Sequence, residues 1–269
     1  LIGVLQSATA LTQQISSAAT AIQSARADAD GQISDQVSLL NITLNQVAQF
    51  NGDIGVGLVN GRDVSALMDQ RQRAIDSIAS IVPLREVPRS YGGVALFTTG
   101  GAIILDGKPA EFGFTAAGVV VAGMTQASGA LSGLTLDDRS VATSGDSSLI
   151  SGGTLAAAFQ VRDSLAPAAQ ANLDALARDL ITRFADPATD PSLPLSAPGL
   201  FTDTGSGFDP SAEVGLAQRI SVNSSVDPTK GGDLSKLRDG LGAMAPGPVG
   251  SAAQFNRFSA ALESLRTPA

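Results

Sequence analysis

The sequence predicts an α+β fold: a long antiparallel helical bundle built from both ends of the chain, with an inserted β-rich domain. Apolar residues recur at intervals of three and four from Leu11 to Val47 and again in the C-terminal part. Between these parts, short apolar runs alternate with glycine and aspartate, a pattern typical of strands joined by turns. We therefore expect a discontinuous helical rod domain of residues 1–82 and 155–269 and a β-rich domain of residues 83–154.

The first helix is predicted by an apolar stripe along one side. Roughly 50 residues at about 1.5 Å each would form a rod of about 75 Å. Such a helix needs partner helices, because one stripe alone does not offset the entropy of ordering the backbone. We expect the glycine-rich segment of residues 51–61 to end it. The predicted packing seam consists of Leu11, Ile15, Ile22, Ile33, Val37, Leu40, Leu44 and Val47, with small residues such as Ala18 and Ala25 between them.

A second helix and five short strands are predicted next. Asp63 is expected to cap the helix, and Pro83 is expected to stop it. Hairpin turns are expected at Gly100-Gly101 and Asp106-Gly107. The predicted strands cover residues 94–98, 102–105, 112–114, 119–121 and 131–136.

Helical spacing returns near Leu155 and continues to about Ala185, with an expected interruption at Pro167. This helix is the predicted return partner of the first one. Residues 186–213 carry five prolines and are predicted to form a loop. A last helix completes the bundle. The predicted seam of the returning helices consists of Leu173, Leu176, Leu180, Phe255, Phe258 and Leu262, and Leu265 continues it.

The composition argues against most enzyme chemistry. The 269 residues include no cysteine, no histidine and no tryptophan, so the thiol nucleophile, the imidazole base and the usual zinc ligands are missing. We expect no enzyme, no cofactor and no metal site. The net charge of −8 argues against nucleic acid, which requires clustered lysine and arginine. The sequence contains no apolar run of about 18 residues, so we also expect no membrane association.

Three motif-like strings have simpler interpretations. Residues 55–61 resemble a dinucleotide-binding loop, but the third glycine is one place late and the string follows a helix. Residues 28–31 resemble a calcium loop, yet Arg26 stands at the first ligand position and Val37 at the twelfth, so we expect a solvated helix surface. The acidic loop 186–213, which includes Asp203 and Asp209, is interpreted as a solvated face, and cation binding there is left open.

One string carries a family resemblance. Residues 67–73, Leu-Met-Asp-Gln-Arg-Gln-Arg, follow a helix whose end reads Val-Ala-Gln-Phe-Asn-Gly-Asp-Ile at residues 47–54. Together they resemble the FlgK family of flagellar hook-associated proteins. Three further places match in order. These are Gly152-Gly153-Thr154-Leu155 with Arg162-Asp163, then Gly199-Leu200-Phe201, then Ile220-Ser221-Val222-Asn223.

The resemblance implies a structural subunit that joins the hook to the filament of the bacterial flagellum. It implies export through the flagellar type III apparatus to a place outside the cell. The implied partners are hook protein, the next junction protein and copies of the chain itself in a tubular lattice, with an export chaperone acting through a missing end. We expect a core fragment that is monomeric in isolation. The family-motif positions expected to be structural are Asp69, Gln70, Arg71, Arg162 and Asp163.

Two alternatives remain open. Another exported flagellar axial protein, or a filament or adhesin-like subunit, would share the plan of a helical rod with an insert. A carboxylate-based hydrolase would need two acids about 5 to 9.5 Å apart in a cleft. Asp137 and Asp138 are adjacent and would point to opposite sides of a strand, which does not favour the hydrolase.

Overall fold

The computed structural model of the chain describes residues 1–145, 148–248 and 250–264. It contains two compact units, one of residues Leu1–Ile22 and Ala168–Ala269 and one of residues Gln23–Pro167. This division differs from the expected boundaries at residues 82 and 154. The first helix contributes to both units, and the second unit includes its central and C-terminal parts together with the β-rich segment.

The first helix, α1, is longer than expected. It covers Ile2–Val59 without a break and continues into the glycine-rich segment that was expected to end it. Tertiary packing explains this correction: Ile54 is fully buried within that segment. A side chain at Gly57 would also lie only 2.5 Å from Cγ1 of Val64, so glycine lets the following segment approach closely.

The unit of residues 23–167 combines α1 with a second helix and two antiparallel sheets. Its shared core includes Ile33, Leu40 and Leu44 of α1. Helix α2 covers Ser65–Ala79, and Asp63 accepts a hydrogen bond from the Ser65 N–H at its start. One sheet contains, in order, β1 (Leu84–Pro88), β2 (Val94–Thr98), β3 (Ile103–Asp106) and β4 (Lys108–Pro109). The other contains β5 (Phe112–Gly113), β6 (Leu134–Leu136) and β7 (Arg139–Val141).

The strand prediction at residues 94–98 is confirmed, and the turns at Gly101 and Gly107 have positive φ angles of 92° and 77°. The strand expected at residues 119–121 is wrong. Those residues lie in a segment without regular secondary structure, residues 115–133, which we call the uncharged loop. The backbone carbonyl of Val121 accepts a hydrogen bond from the side chain of Arg26.

The returning helical run continues past the proline that was expected to interrupt it. Helix α3 covers Gly153–Gln160, a π-helical segment covers Val161–Leu165, and α4 covers Ala166–Ala185. The N–H of Ala166 bonds to the carbonyl of Val161, five residues earlier. Because Pro167 has no N–H and its ring collides with a regular preceding turn, the π segment lets the helix continue.

The other unit packs the start of α1 against α4 and the C-terminal elements. Strand β8 (Phe201–Asp203) pairs antiparallel with β9 (Ile220–Val222), and the short helix α5 (Leu216–Arg219) lies between them in sequence. Helices α6 (Lys236–Asp239) and α7 (Ala253–Glu263) follow. The ring of Phe184 lies 5.0 Å from that of Phe201 and 5.4 Å from that of Phe258, measured between centroids, at the centre of this core.

The single seam expected between the first helix and the returning helices is divided between two cores. Its beginning, through Leu5, Ala8, Ile15 and Ala19, shares a core with α4. From Ile33 onward the seam is buried against α2, the sheets and α3. Leu11 and Ile22 are partly buried, and Ala18 and Ala25 are exposed because the buried stripe passes through Ala19 and Ala29 instead.

The seam predicted on the returning helices also needs correction. Leu180 and Phe258 are buried and Leu173 is partly buried, whereas Leu176, Phe255 and Leu262 are exposed. On α4 the buried face includes Asp174, which accepts hydrogen bonds from the backbone N–H groups of two residues at the start of α5. On α7 it includes Gln254, Phe258 and Ala261. Leu265 lies outside the described residues.

Candidate functional site

Two arginines and two aspartates form a buried polar group in the unit of residues 23–167. We call Arg26, Asp30, Arg162 and Asp163 the arginine cluster. Nη1 of Arg162 lies 2.7 Å from Oδ1 of Asp30, and Nε of Arg162 lies 2.8 Å from Oδ1 of Asp163. The side chains of Arg162 and Asp30 are 0% and 2% exposed. Two positive and two negative groups balance, as buried charges must.

Arg26 binds backbone carbonyls. Its Nε donates to the carbonyl of Arg162 at 3.0 Å, and Pro167 has no N–H that this carbonyl could accept from. Its Nη2 donates to the carbonyl of Met124 at 2.6 Å, and its Nη1 donates to that of Val121 at 3.1 Å. Burial lowers the pKa of Arg26. The Arg26 side chain thus supplies a hydrogen-bond donor to a carbonyl that has no helical partner in the π segment. It also binds the backbone of the uncharged loop.

Arg162 and Asp30 hold the same loop nearer to its two ends. Nη2 of Arg162 donates to the carbonyl of Ser132 at 2.9 Å, and Oδ2 of Asp30 accepts from the N–H of Ala117 at 2.6 Å. The Arg162 guanidinium also lies 5.3 Å from the ring centre of Phe114 and 5.0 Å from that of Phe159. Burial lowers the pKa of Arg162, but its hydrogen bonds to the two aspartates outweigh this and raise it overall.

Two asparagines of α1 bind strand backbones as a neighbouring strand would. Asn41 donates from Nδ2 to the carbonyl of Phe112 and accepts from its N–H, at 2.8 and 2.9 Å. Asn51 makes the same pair of bonds to Val94, at 2.8 and 3.1 Å. An amide side chain carries both a donor and an acceptor, so it satisfies both backbone groups of one residue. These contacts tie one strand of each sheet to α1.

The family string on α2, residues 67–73, contacts α1 through Arg71. Nη1 of Arg71 donates to Oδ1 of Asn51 at 2.9 Å and to the carbonyl of Gly92 at 2.6 Å. Burial lowers the pKa of Arg71, and Glu86 opposes that shift. The turn that Arg71 holds contains Tyr91, which has a φ of 56°. Asp69 and Gln70, expected to be structural, are exposed.

An apolar groove lies beside this turn, with a volume of about 400 Å³. Val59 and Tyr91, which line it, are largely exposed, and Gly52 and Gly55 of α1 also line it. The apolar groove is lined by Asn51, Gly52, Gly55, Val56, Val59, Asn60 and Tyr91.

A larger cleft of about 950 Å³ adjoins the arginine cluster. It is lined by Arg26, Gln160, Asp163 and hydroxyl groups of the segment after β6, among others. Both oxygens of Asp163 already accept hydrogen bonds, from Arg162 and from Gln126. Within the described parts of the chain, no group of three or more acidic side chains is placed to hold a metal ion.

The other acidic residues considered in the sequence have structural contacts. Asp137 and Asp138 lie in the turn between β6 and β7 with φ angles of 49° and 63°, so the expectation that they lie on a strand is wrong. Asp203 forms an ion pair with Arg219 at 2.9 Å. Asp209 accepts a hydrogen bond from the backbone N–H of Ser211.

Sequence reasoning missed the buried charges of α1. Residues 28–31 were expected to be solvated, yet Asp30 is buried by the ion pair with Arg162. A signal existed: steps of three or four from Ala19 lead through Arg26 and Asp30 to Ile33, along the same stripe as the apolar seam. A charged residue inside such a stripe indicates a buried partner.

These features occur in a chain whose sequence matches, over residues 3–188, the family described as the flagellar hook-associated protein FlgK helical domain. The chain belongs to this FlgK family. The motif residues Arg71, Arg162 and Asp163 therefore lie in the family's helical domain, and the structure brings each of them into polar contacts with other residues.

The fold is similar to that of a solved member of the FlgK family. That structure is described as the flagellar hook junction protein FlgK from Burkholderia pseudomallei, with a TM-score of 0.55 and 21% sequence identity. The match covers 74% of this chain and 35% of that one, so the chain spans about a third of that protein's length. A comparison with curated proteins found no match. In the described residues, no helix has the length and apolar character needed to cross a bilayer.

Proposed function

We infer that this chain is part of a structural subunit that joins the hook to the filament of the bacterial flagellum. The observation that carries this is the family match to the FlgK helical domain over residues 3–188. The contacts of the motif residues support a mechanical role, because Arg71 and Arg162 bind other groups of the protein.

The buried polar contacts suit a part that transmits force. Helix α1 binds non-helical segments through Asp30, Asn41 and Asn51, at intervals of about ten residues. Each of these bonds is directional and partly buried, so displacing a segment would leave polar groups without partners, at roughly 1–3 kcal/mol for each. The β-rich insert is thereby held in one position on α1. The function resides in the outer surfaces of the subunit.

The proposal includes specific partners and a location. The subunit contacts hook protein, the next junction protein and copies of itself in a tubular lattice. It is exported through the flagellar type III apparatus, with a chaperone, and acts outside the cell. The isolated chain is a monomer at micromolar concentration, because the lattice contacts are made only in the assembled flagellum.

Deletion of the gene in the bacterium that carries it tests this function. We expect cells with hooks but no attached filaments and with filament protein released into the medium, and we expect restoration by the wild-type gene. Filaments of normal number and length in the deletion strain would contradict the proposal.

A site-specific label would show where in the flagellum the subunit lies. The chain has no cysteine, so Leu195→Cys introduces one thiol at a residue that is 90% exposed. Maleimide-gold on isolated flagella is expected at the junction between hook and filament, and the unsubstituted protein is the control. Label along the whole filament would instead favour a filament or adhesin-like subunit.

A further inference from the structure

The chain contains two Asn-Gly pairs, Asn51-Gly52 and Asn60-Gly61, one inside α1 and one directly after it. Asparagine followed by glycine is the pair most prone to deamidation, because glycine has no side chain to shield its backbone nitrogen and adopts many conformations. The reaction requires the asparagine side chain to meet the next backbone nitrogen, which a regular helix does not allow. The structure around each pair therefore decides which of them reacts.

Asn51 is fixed by contacts with other elements. It lies about two turns before the end of α1, so the N–H of Gly52 is directed along a regular helix. The side-chain amide of Asn51 donates to the carbonyl of Val94 and accepts from its N–H and from Arg71. Reaction at Asn51 would require these bonds to break and the strand to separate from α1.

Asn60 stands where α1 ends. The next residue, Gly61, has a φ of 68° and turns the chain away from the helix axis. The N–H of Gly61 donates to the carbonyl of Leu58 at 3.1 Å, and the N–H of Arg62 donates to that of Gly57 at 2.9 Å. These two bonds form the Schellman arrangement that is common at the C-terminus of a helix. Asn60 is thus the C-cap residue of α1.

Opening of this turn removes no buried side chain from the core. Every residue from 58 to 63 is exposed. The side-chain amide of Asn60 donates to the carbonyl of Val56, in the preceding turn of the same helix, at 2.9 Å. Helix ends fray locally at a lower cost than helix interiors. Fraying of the last turn therefore frees the Asn60 amide and the Gly61 nitrogen together, while the rest of the unit stays folded.

We propose that Asn60 is a modification site that loses its amide by deamidation, while Asn51 stays intact. The backbone nitrogen of Gly61 attacks Cγ of Asn60. The bond from Cγ to the amide nitrogen breaks, and ammonia leaves with the proton of the Gly61 N–H. Water then opens the resulting succinimide ring. Opening at Cγ gives aspartate and opening at the backbone carbonyl gives isoaspartate, so water is the only co-reactant.

Either product weakens the end of α1. Aspartate places a negative charge at the negative end of the helix dipole. Isoaspartate adds a methylene group to the main chain, which displaces the N–H groups of Gly61 and Arg62 from the carbonyls that they bind. The chain then leads to Asp63, which binds the start of α2, and to Val64, which is buried beside Gly57. Deamidation therefore loosens the connection between α1 and α2.

Peptide mapping measures both asparagines in one experiment. Trypsin releases residues 27–62 as one peptide, because no lysine or arginine lies between Arg26 and Arg62. The full chain is incubated for several days at about pH 8 and 37 °C, and a sample digested without incubation corrects for deamidation during digestion. Fragmentation mass spectrometry should locate the new carboxyl group at Asn60, formed at least about tenfold faster than at Asn51.

Unfolding is the control for the role of the structure. In guanidinium chloride the rates at Asn51 and Asn60 should become similar, because both asparagines are then followed by a free glycine nitrogen. Equal rates in the folded protein would overturn the proposal. So would an Asn60 that reacts in guanidinium chloride and stays unchanged in the folded protein.

Two variants at the exposed residue 60 test the loosening of α1. Asn60→Asp reproduces one product, whereas Asn60→Gln keeps an amide on a longer side chain that closes a ring far more slowly. We expect amide hydrogen exchange at residues 56–64 to be faster in Asn60→Asp and in incubated wild type than in fresh wild type. Incubated Asn60→Gln should match the fresh protein, and equal exchange in all samples would overturn the loosening. These measurements are independent of the deletion phenotype, so a wrong modification site and a wrong function give different results.

Discussion

Arg162 and Asp30 are 132 residues apart in sequence and form a 2.7 Å ion pair with both side chains almost fully buried. The pair joins the returning helical run to α1, and its two members also bind opposite ends of the uncharged loop. One contact therefore links two elements that share a unit and fixes the segment between them.

Removing one partner of this pair should destabilise the protein strongly. Arg162→Met leaves the carboxylate of Asp30 buried without its cation, for which we expect a loss of roughly 3–5 kcal/mol in the free energy of unfolding. Urea denaturation measures it. The double variant Asp30→Asn/Arg162→Met should lose less than the sum of its single variants. Arg89→Met, which removes an exposed pair with Asp106, is the control and should leave stability unchanged; an equal loss there would refute the assignment.

The asparagine contacts of α1 should also be measurable. Asn51→Ala leaves the N–H and carbonyl of Val94 and one donor of Arg71 without their partner, and each buried group left so costs roughly 1–3 kcal/mol. Asn45→Ala is a matched control, because Asn45 is exposed and bonds only within its own helix. We expect a clear fall in the melting temperature for the first variant and little for the second. Equal melting temperatures would show that the Asn51 contacts do not stabilise the fold.

Two neighbouring leucines of α1 allow the effect of burial on stability to be distinguished from the effect of position along the helix. Leu40 is fully buried, whereas Leu39 is 45% exposed. Leu40→Asp places a carboxylate in the core without a partner, at a cost of several kcal/mol, and should unfold the unit of residues 23–167. Leu39→Asp should keep the wild-type circular dichroism spectrum and unfolding midpoint. An unchanged midpoint for Leu40→Asp would contradict the placement of the seam.

Two phenylalanines of α7 give a similar comparison in the other unit. Phe258 is buried against the ring of Phe184, and we expect Phe258→Ala to lose roughly 3–5 kcal/mol. Phe255 is 45% exposed, so Phe255→Ala should lose far less. Chemical denaturation followed by circular dichroism compares them. Equal losses would show that both rings lie in the core, as the sequence pattern had suggested.

Stability should fall in acid, partly through Asp239. The hydrogen bond from Arg238, helped by the N–H of Gly247, lowers the pKa of Asp239 to about 2, below the unfolded value of about 3.9. A carboxyl group with a depressed pKa stabilises the folded state above the unfolded pKa, and this contribution is lost as the pH falls from about 4 to 2. Asp239→Asn should flatten the change in urea midpoint over that range. The hypothesis fails if the variant and the wild type show the same pH dependence.

Local patterns predicted a large part of the fold. The three- and four-residue spacing of α1 and the short apolar run of β2 are properties of the chain itself, so both elements were expected near their observed positions. The turn residues Gly101 and Gly107 were identified because glycine alone adopts positive φ without strain. The string of residues 67–73, which contains Arg71, indicated the family.

The sequence by itself determined that a long helix, a β-rich insert and a returning helix exist and that no thiol or imidazole chemistry is present. Only the tertiary structure decided that Arg26 and Asp30 are buried, that α1 continues through its glycines and that Leu176 and Phe255 face solvent. The reason is that a spacing pattern specifies one face of an element, whereas the partner on that face comes from a distant part of the chain. Whether a charge in the stripe is solvated or buried depends on that partner, and for Asp30 the partner is Arg162.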